Sequence, residues 1–203
     1  MKQVFHNLKN IQNKNVFLLF AILPIGLIVG SAVSNSIILL INLLFIIEIL
    51  KKNNLPFLID RWFYILLLLW FCLLANSILI ANNSESLIRS FGFFRFILLV
   101  FAFKYFMEQD KGSFKNVITG IWFIIFNIVT IDIFIEFFTG SNILGFSSEF
   151  NGRIASFTGD ELKIGNYYFG FVLLSLCFFY KNLYKKYKLF FYILFLVFLV
   201  SSF

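Results

Sequence analysis

Long apolar runs, interrupted only by short polar connections, dominate this chain and restrict it to one kind of environment. Seven such segments lie at roughly 16–33, 34–50, 62–80, 87–107, 117–138, 166–180 and 189–203. A ~30 Å hydrocarbon core is crossed at about 1.5 Å per helical residue, which takes about 20 residues. Composition removes the alternatives. Hydrophobic residues make up 61% of the 203 and charged residues 13%, where soluble domains run near ~45–50% and ~25%. A soluble globule of this size cannot hide so much apolar surface in one core, and disorder requires low hydrophobicity with high net charge. The sequence therefore predicts an all-α polytopic membrane protein of about seven transmembrane helices, one transmembrane domain over residues 1–203.

Two of the segments carry extra information. The first has basic residues ahead of it and a small-residue patch, Gly30-Ser31-Ala32, as a signal peptide does. Six further spans follow, which favours an uncleaved first helix, kinked at Pro24 and tolerated among neighbouring helices. The last segment has only fifteen residues after Lys188, about 22 Å of helix against a ~30 Å core. That shortfall predicts a truncated chain, the N-terminal portion of a longer protein.

The formal charge of +7 is a record of orientation. A nucleic-acid reader gathers Lys and Arg on one polar face, whereas here they sit in short clusters between apolar runs, and no nucleic-acid partner is implied. Alternate connections carry Lys2, Lys9 and Lys14; Lys51, Lys52 and Arg61; Lys104, Lys111 and Lys115; and Lys181, Lys185, Lys186 and Lys188. Only Arg89, Arg95, Arg153 and Lys163 of the seventeen basic residues fall on the other side. The positive-inside rule places the lysine-rich side, and with it the N terminus, in the cytoplasm. His6 is the single histidine, and Cys72 and Cys177 lie inside apolar runs. No metal cluster, disulfide framework, dinucleotide fingerprint, Walker loop or nucleophile elbow is present, so neither a metal nor another cofactor is expected.

Charges inside a span cost about 2.5–3.5 kcal/mol each near the bilayer centre, so each needs a reason. Glu48 has a local one, with Lys51 and Lys52 three and four residues on. Arg89 and Arg95 in the fourth segment, and Asp132 and Glu136 in the fifth, do not. Antiparallel packing would bring Arg95 to the depth of Asp132 and Arg89 to that of Glu136. Two readings are open: interhelical salt bridges that set register, or an outward-facing cationic pocket in which arginine forks grip phosphate oxygens.

The outer connection, roughly 139–165, is the richest segment. It contains Gly140, Gly145, Gly152, Gly159 and Gly165, together with Glu149, Arg153, Asp160, Glu161 and Lys163. Glycine density permits tight turns or close approach to a ligand, and equally marks an ordinary surface loop. Thr158-Gly159-Asp160-Glu161 has a capping-box pattern that gives Glu161 a structural job and Asp160 a favourable place on a helix dipole. Arg153 has no such local reason.

Across Asp132 to Tyr167 the sequence resembles the O-antigen polymerase and O-antigen ligase superfamily of bacterial envelopes. The resemblance rests on IDIFIEFFTGSNILGF followed by NGRIASFTGDELKIGNYY. The matching positions are Asp132, Gly140, Asn142, Ile143, Gly145, Arg153, Phe157, Gly159, Asp160, Glu161, Gly165, Asn166 and Tyr167, with one extra residue in Phe157-Thr158-Gly159. It implies a GT-C-like helical bundle in the bacterial inner membrane and a metal-independent glycosyltransferase of polysaccharide or lipopolysaccharide biosynthesis. The donor would be a glycan on undecaprenyl diphosphate, transferred at the periplasmic face to another lipid-linked glycan or to lipid A-core. The resemblance points to Arg153 first, then Arg95 and Arg89, as diphosphate or sugar contacts, with Asp160, Glu161 and Lys163 beside them. Asp132, Glu136, Gly140, Gly145, Gly159, Gly165 and Tyr167 would shape the pocket. Ligases of the family use a histidine in a later outer loop, and His6 lies on the wrong side, so the catalytic residues are expected beyond this fragment and the fragment to be inactive alone. The main rival is a polysaccharide or lipid flippase, or another secondary transporter, with the same arginines and acids lining its path. Internal repeats typical of transporters are not evident here. A non-catalytic scaffold would have no use for the charged, glycine-rich loop.

Overall fold

The structure, a computed structural model, describes residues 14–52, 60–81, 83–109, 113–146, 154 and 156–158, with short helical stretches at 188–189, 192–193 and 196–197. Among these residues every regular element is helical. α1 runs Lys14–Val29, α2 Ser31–Lys52 and α3 Arg61–Asn76, which continues as a π-helical turn over Ser77–Ala81. α4 (Ser84–Gly92), α5 (Phe94–Gln109), α6 (Ser113–Thr139) and a 3₁₀ turn at Ser156–Thr158 complete the order.

Among the described residues, four helical units are long and apolar enough to cross a membrane: Ser31–Lys52, Arg61–Ala81, Ser84–Glu108 and Val117–Thr139. The first segment is shorter than expected. α1 stops at Val29, and residues 31–33 belong to α2 instead. The cause is Gly30, whose φ of +148° is open only to glycine and lets one helix end and the next begin within one residue. The expected spans at 166–180 and 189–203 fall on residues outside those described, apart from the short stretches named above.

α1 is nonetheless the helix around which the others gather. It packs against α2 and α6, and α2 packs in turn against α5. Lipid tails give helices no hydrophobic reason to associate, so close packing and interhelical hydrogen bonds must do it. Gly26 provides the first: a Cβ there would lie 2.5 Å from Ile37 Cδ1, so glycine sets how closely α1 and α2 approach. The aromatic abundance of the sequence provides the filling. Phe20 meets Phe103 edge-on at 5.2 Å, Phe103 stacks on Trp122, and Phe45 packs on Tyr105 and Phe106. By contrast, Trp62, Leu68, Phe71 and Leu79 of the α3 unit are exposed, an apolar surface suited to hydrocarbon.

Proline chemistry explains the best-placed hydrogen bond. Pro24 has no N–H, so the Phe20 carbonyl four residues earlier loses its usual helical donor. The buried Trp122 indole N–H of α6 donates to that carbonyl at 2.9 Å. α1 runs on through Pro24 because a neighbouring helix takes over the freed backbone group.

At the lysine-bearing end, Glu48 pairs with Lys52 at 3.3 Å, as its local spacing implies. Asp60 caps α3 by accepting from the Trp62 N–H at 3.0 Å and pairs with Lys104 of α5. Lys104, then the Trp62 amide, hold the Asp60 carboxyl below its ordinary value of 3.8. A depressed carboxyl stabilises the fold above its unfolded pKa and loses that contribution as pH falls through the lower, folded value.

Two outcomes follow from these contacts. Trp122→Phe should destabilise the detergent-solubilised protein by about 1–3 kcal/mol. Pro24→Ala, which restores the helical donor to Phe20, should recover much of that loss in a double-mutant cycle of thermal unfolding. Asp60→Asn should lower the melting temperature near neutral pH and flatten its decline below about pH 4.

Candidate functional site

The end of α6 and the loop beyond it form a buried polar cluster. Asp132 and Glu136, one turn apart, are 0% and 5% exposed, and Asn142 and Ser156 are buried beside them. α6 ends by a glycine stop: Gly140, at φ +79°, returns its N–H to the Glu136 carbonyl at 2.8 Å. The chain then turns tightly. Gly145, at φ +84°, donates to the Asn142 carbonyl, and the Asn142 side-chain oxygen accepts from the Phe146 N–H at 2.8 Å. Neither glycine has an atom within 4 Å of where a Cβ would sit. Backbone conformation is what requires glycine at both positions.

The two acids hold this loop. Asp132 accepts from the Ile143 N–H at 2.8 Å with one oxygen and from the Ser156 hydroxyl at 2.5 Å with the other. Glu136 accepts from the Ser156 N–H at 2.5 Å. The Asn142 amide closes the cluster by donating to the Ser156 carbonyl at 3.0 Å. Ser156 is the central residue: its φ of 49° is unusual for a side-chain-bearing residue, and its N–H, hydroxyl and carbonyl are all engaged. Hydrogen bonds to carboxylates are worth about 1.5–3 kcal/mol each, which outweighs the ~1–2 kcal/mol cost of a left-handed residue.

This arrangement replaces the expected pairs. Arg95 does not meet Asp132, and Arg89 does not meet Glu136. The reason lies in the packing: α6 lies mainly against α1 and the 3₁₀ turn, whereas α5 lies mainly against α2. Arg89 instead forms an exposed contact with Glu85, one turn earlier, at 3.7 Å. Arg95 lies over the Phe96 ring, 4.9 Å from its centroid. Its Nε is buried and without a hydrogen-bond partner, and among the described residues no carboxylate reaches it. The Arg95 carbonyl accepts from the Asn42 amide of α2 at 2.8 Å, while the Asn42 side-chain oxygen is also buried and unpartnered.

Arg153, Gly159, Asp160, Glu161, Lys163, Gly165 and Tyr167 lie outside the described residues. No group of three or more His, Cys, Asp or Glu gathers among the described ones.

Sequence reasoning missed Ser156 and a second cluster at the α3–α4 junction. There Ser77 hydrogen-bonds to Ser90, Ser86 donates to Ser77 at 3.1 Å, and the Trp70 indole donates to the Ser90 carbonyl at 2.9 Å. The spacing of Ser86 and Ser90 places them on one helix face. The π-helical turn that aims Ser77 at them leaves no mark in the sequence.

Comparisons of the chain with protein-family models, with curated proteins and with solved structures found no match.

Because Arg95 and Asp132 serve separate interactions, Arg95→Leu and Asp132→Leu should not rescue one another. Their effects on thermal stability should add to within about 0.5 kcal/mol. Ser156→Ala should by itself speed amide exchange at Ile143.

Proposed function

We propose that the chain is the membrane part of a glycosyltransferase of cell-envelope polysaccharide biosynthesis. In this reading it takes a glycan from undecaprenyl diphosphate and passes it to another lipid-linked glycan or to lipid A-core. The lysine-bearing ends of the helices face the cytoplasm of a bacterial inner membrane, and the α6 loop faces the periplasm, within a GT-C-like bundle of about seven spans.

The observation that carries this reading is Arg95, which no carboxylate among the described residues reaches. A guanidinium inside an apolar span is expensive unless something anionic meets it. The two acids best placed by sequence to do so are committed to the loop, and the Arg95 Nε has no partner among the described residues. A diphosphate on a lipid carrier is an anion that enters from the bilayer, and arginine binds its oxygens in pairs. The chemical role is stabilisation of the charge that develops on the departing diphosphate. Arg153 is assigned the same kind of contact by the family resemblance. Asp160, Glu161 and Lys163 are assigned to the glycan side.

The test is genetic and chemical. Arg95→Ala and Arg153→Ala in the native host should reduce the surface polymer by at least about tenfold, a loss of roughly 1.4 kcal/mol or more in transition-state binding. Membrane levels of the protein should be unchanged, and undecaprenyl-diphosphate-linked glycan should accumulate in the outer leaflet. Accumulation in the inner leaflet would identify a flippase instead. Unaltered polymer in both variants would reject the transferase reading.

A further inference from the structure

At the end of the bundle away from Lys52 and Lys104, the π turn after α3 and the first turns of α4 enclose a cleft of about 390 Å³. Small-molecule sites run from roughly 300 to 1,000 Å³, so this is room for a small ligand. Its lining includes Ser77, Asn83, Glu85, Ser86, Arg89 and Phe93. The hydroxyl network of Ser77, Ser86 and Ser90 braces one side. Asn83 caps α4 with its side-chain oxygen, accepting from the Glu85 N–H at 3.1 Å, which leaves its amide N–H groups available. π-helical turns of this kind occur frequently at functional sites.

Charge decides what fits. Arg89 and Glu85 touch through one nitrogen and one oxygen at 3.7 Å, and both side chains are largely exposed. A free anion would use the guanidinium and be opposed by the carboxylate, and a cation would meet the reverse. A vicinal pair of hydroxyls uses both, because each hydroxyl donates to a carboxylate and accepts from a guanidinium. Asn83 and Ser86 add further donors and acceptors, and the Phe93 ring offers an apolar wall for the C–H face of a sugar. We propose that this cleft is a carbohydrate subsite that seats one neutral pyranose ring. The proposal deepens the transferase reading and rests on it for the source of the sugar, the glycan of the lipid-linked substrate.

Saturation-transfer NMR on the full chain in nanodiscs tests it, using the methyl glycosides of glucose, galactose and N-acetylglucosamine as probes. At least one should bind saturably. Glu85→Gln, a substitution at an exposed position, should weaken it about tenfold, and Ser86→Trp, which fills the cleft, should abolish it. Binding of no glycoside, or equal binding to both variants, would overturn the proposal. So would displacement of the glycoside by equimolar inorganic pyrophosphate, which would mark an anion site. No lipid-linked donor is present in the measurement. Normal polymer in both Arg95→Ala and Arg153→Ala cells would therefore reject the transferase reading while leaving the glycoside result standing.

Discussion

In an apolar surrounding a backbone carbonyl that loses its donor must find another within the protein, and Pro24 creates that demand in the most central helix. The Trp122 indole meets it by donating to Phe20 across the α1–α6 contact. Much else depends on this contact. It fixes α6 beside α1, Phe103 then stacks on Trp122, and α5 is brought in against α2, where Asn42 accepts its place by donating to the Arg95 carbonyl. The contacts from Trp122 to Phe20 and from Asn42 to Arg95 join helices that hydrocarbon alone would leave apart.

The same placement of α6 determines what its acids do. Directed at the loop, Asp132 and Glu136 bind backbone amides and the Ser156 hydroxyl. They hold the glycine turn over the helix end, and among the described residues no carboxylate reaches Arg95. The two acids thus provide a fixed loop.

A good part of the fold was legible from periodicity and length, because a bilayer demands long apolar helices whatever they pack against. α2, the α3 unit, α4–α5 and α6 fall close to the segments read from the sequence. So does the Glu48–Lys52 pair, since residues four apart on a helix are neighbours by geometry alone. The first boundary was misplaced because apolarity continues across Gly30, and only its backbone angle separates two helices there. The pairing of Arg95 with Asp132 failed for a different reason. Equal depth is a statement along one axis, and contact also requires two helices to face each other.

What the sequence determined alone is the environment: too much apolar surface for water, arranged in membrane-length runs, with basic residues sorted to alternate connections. These are sums over local composition and need no knowledge of neighbours. Tertiary structure decided which polar groups meet. It gave Trp122 to Phe20, Ser156 to Asp132 and Glu136, and Ser77 to Ser86 and Ser90. Those partners lie as much as 102 residues apart, and helix rotation and packing bring them together. In hydrocarbon the identity of a polar residue announces that it needs a partner, but only the packed bundle says which one.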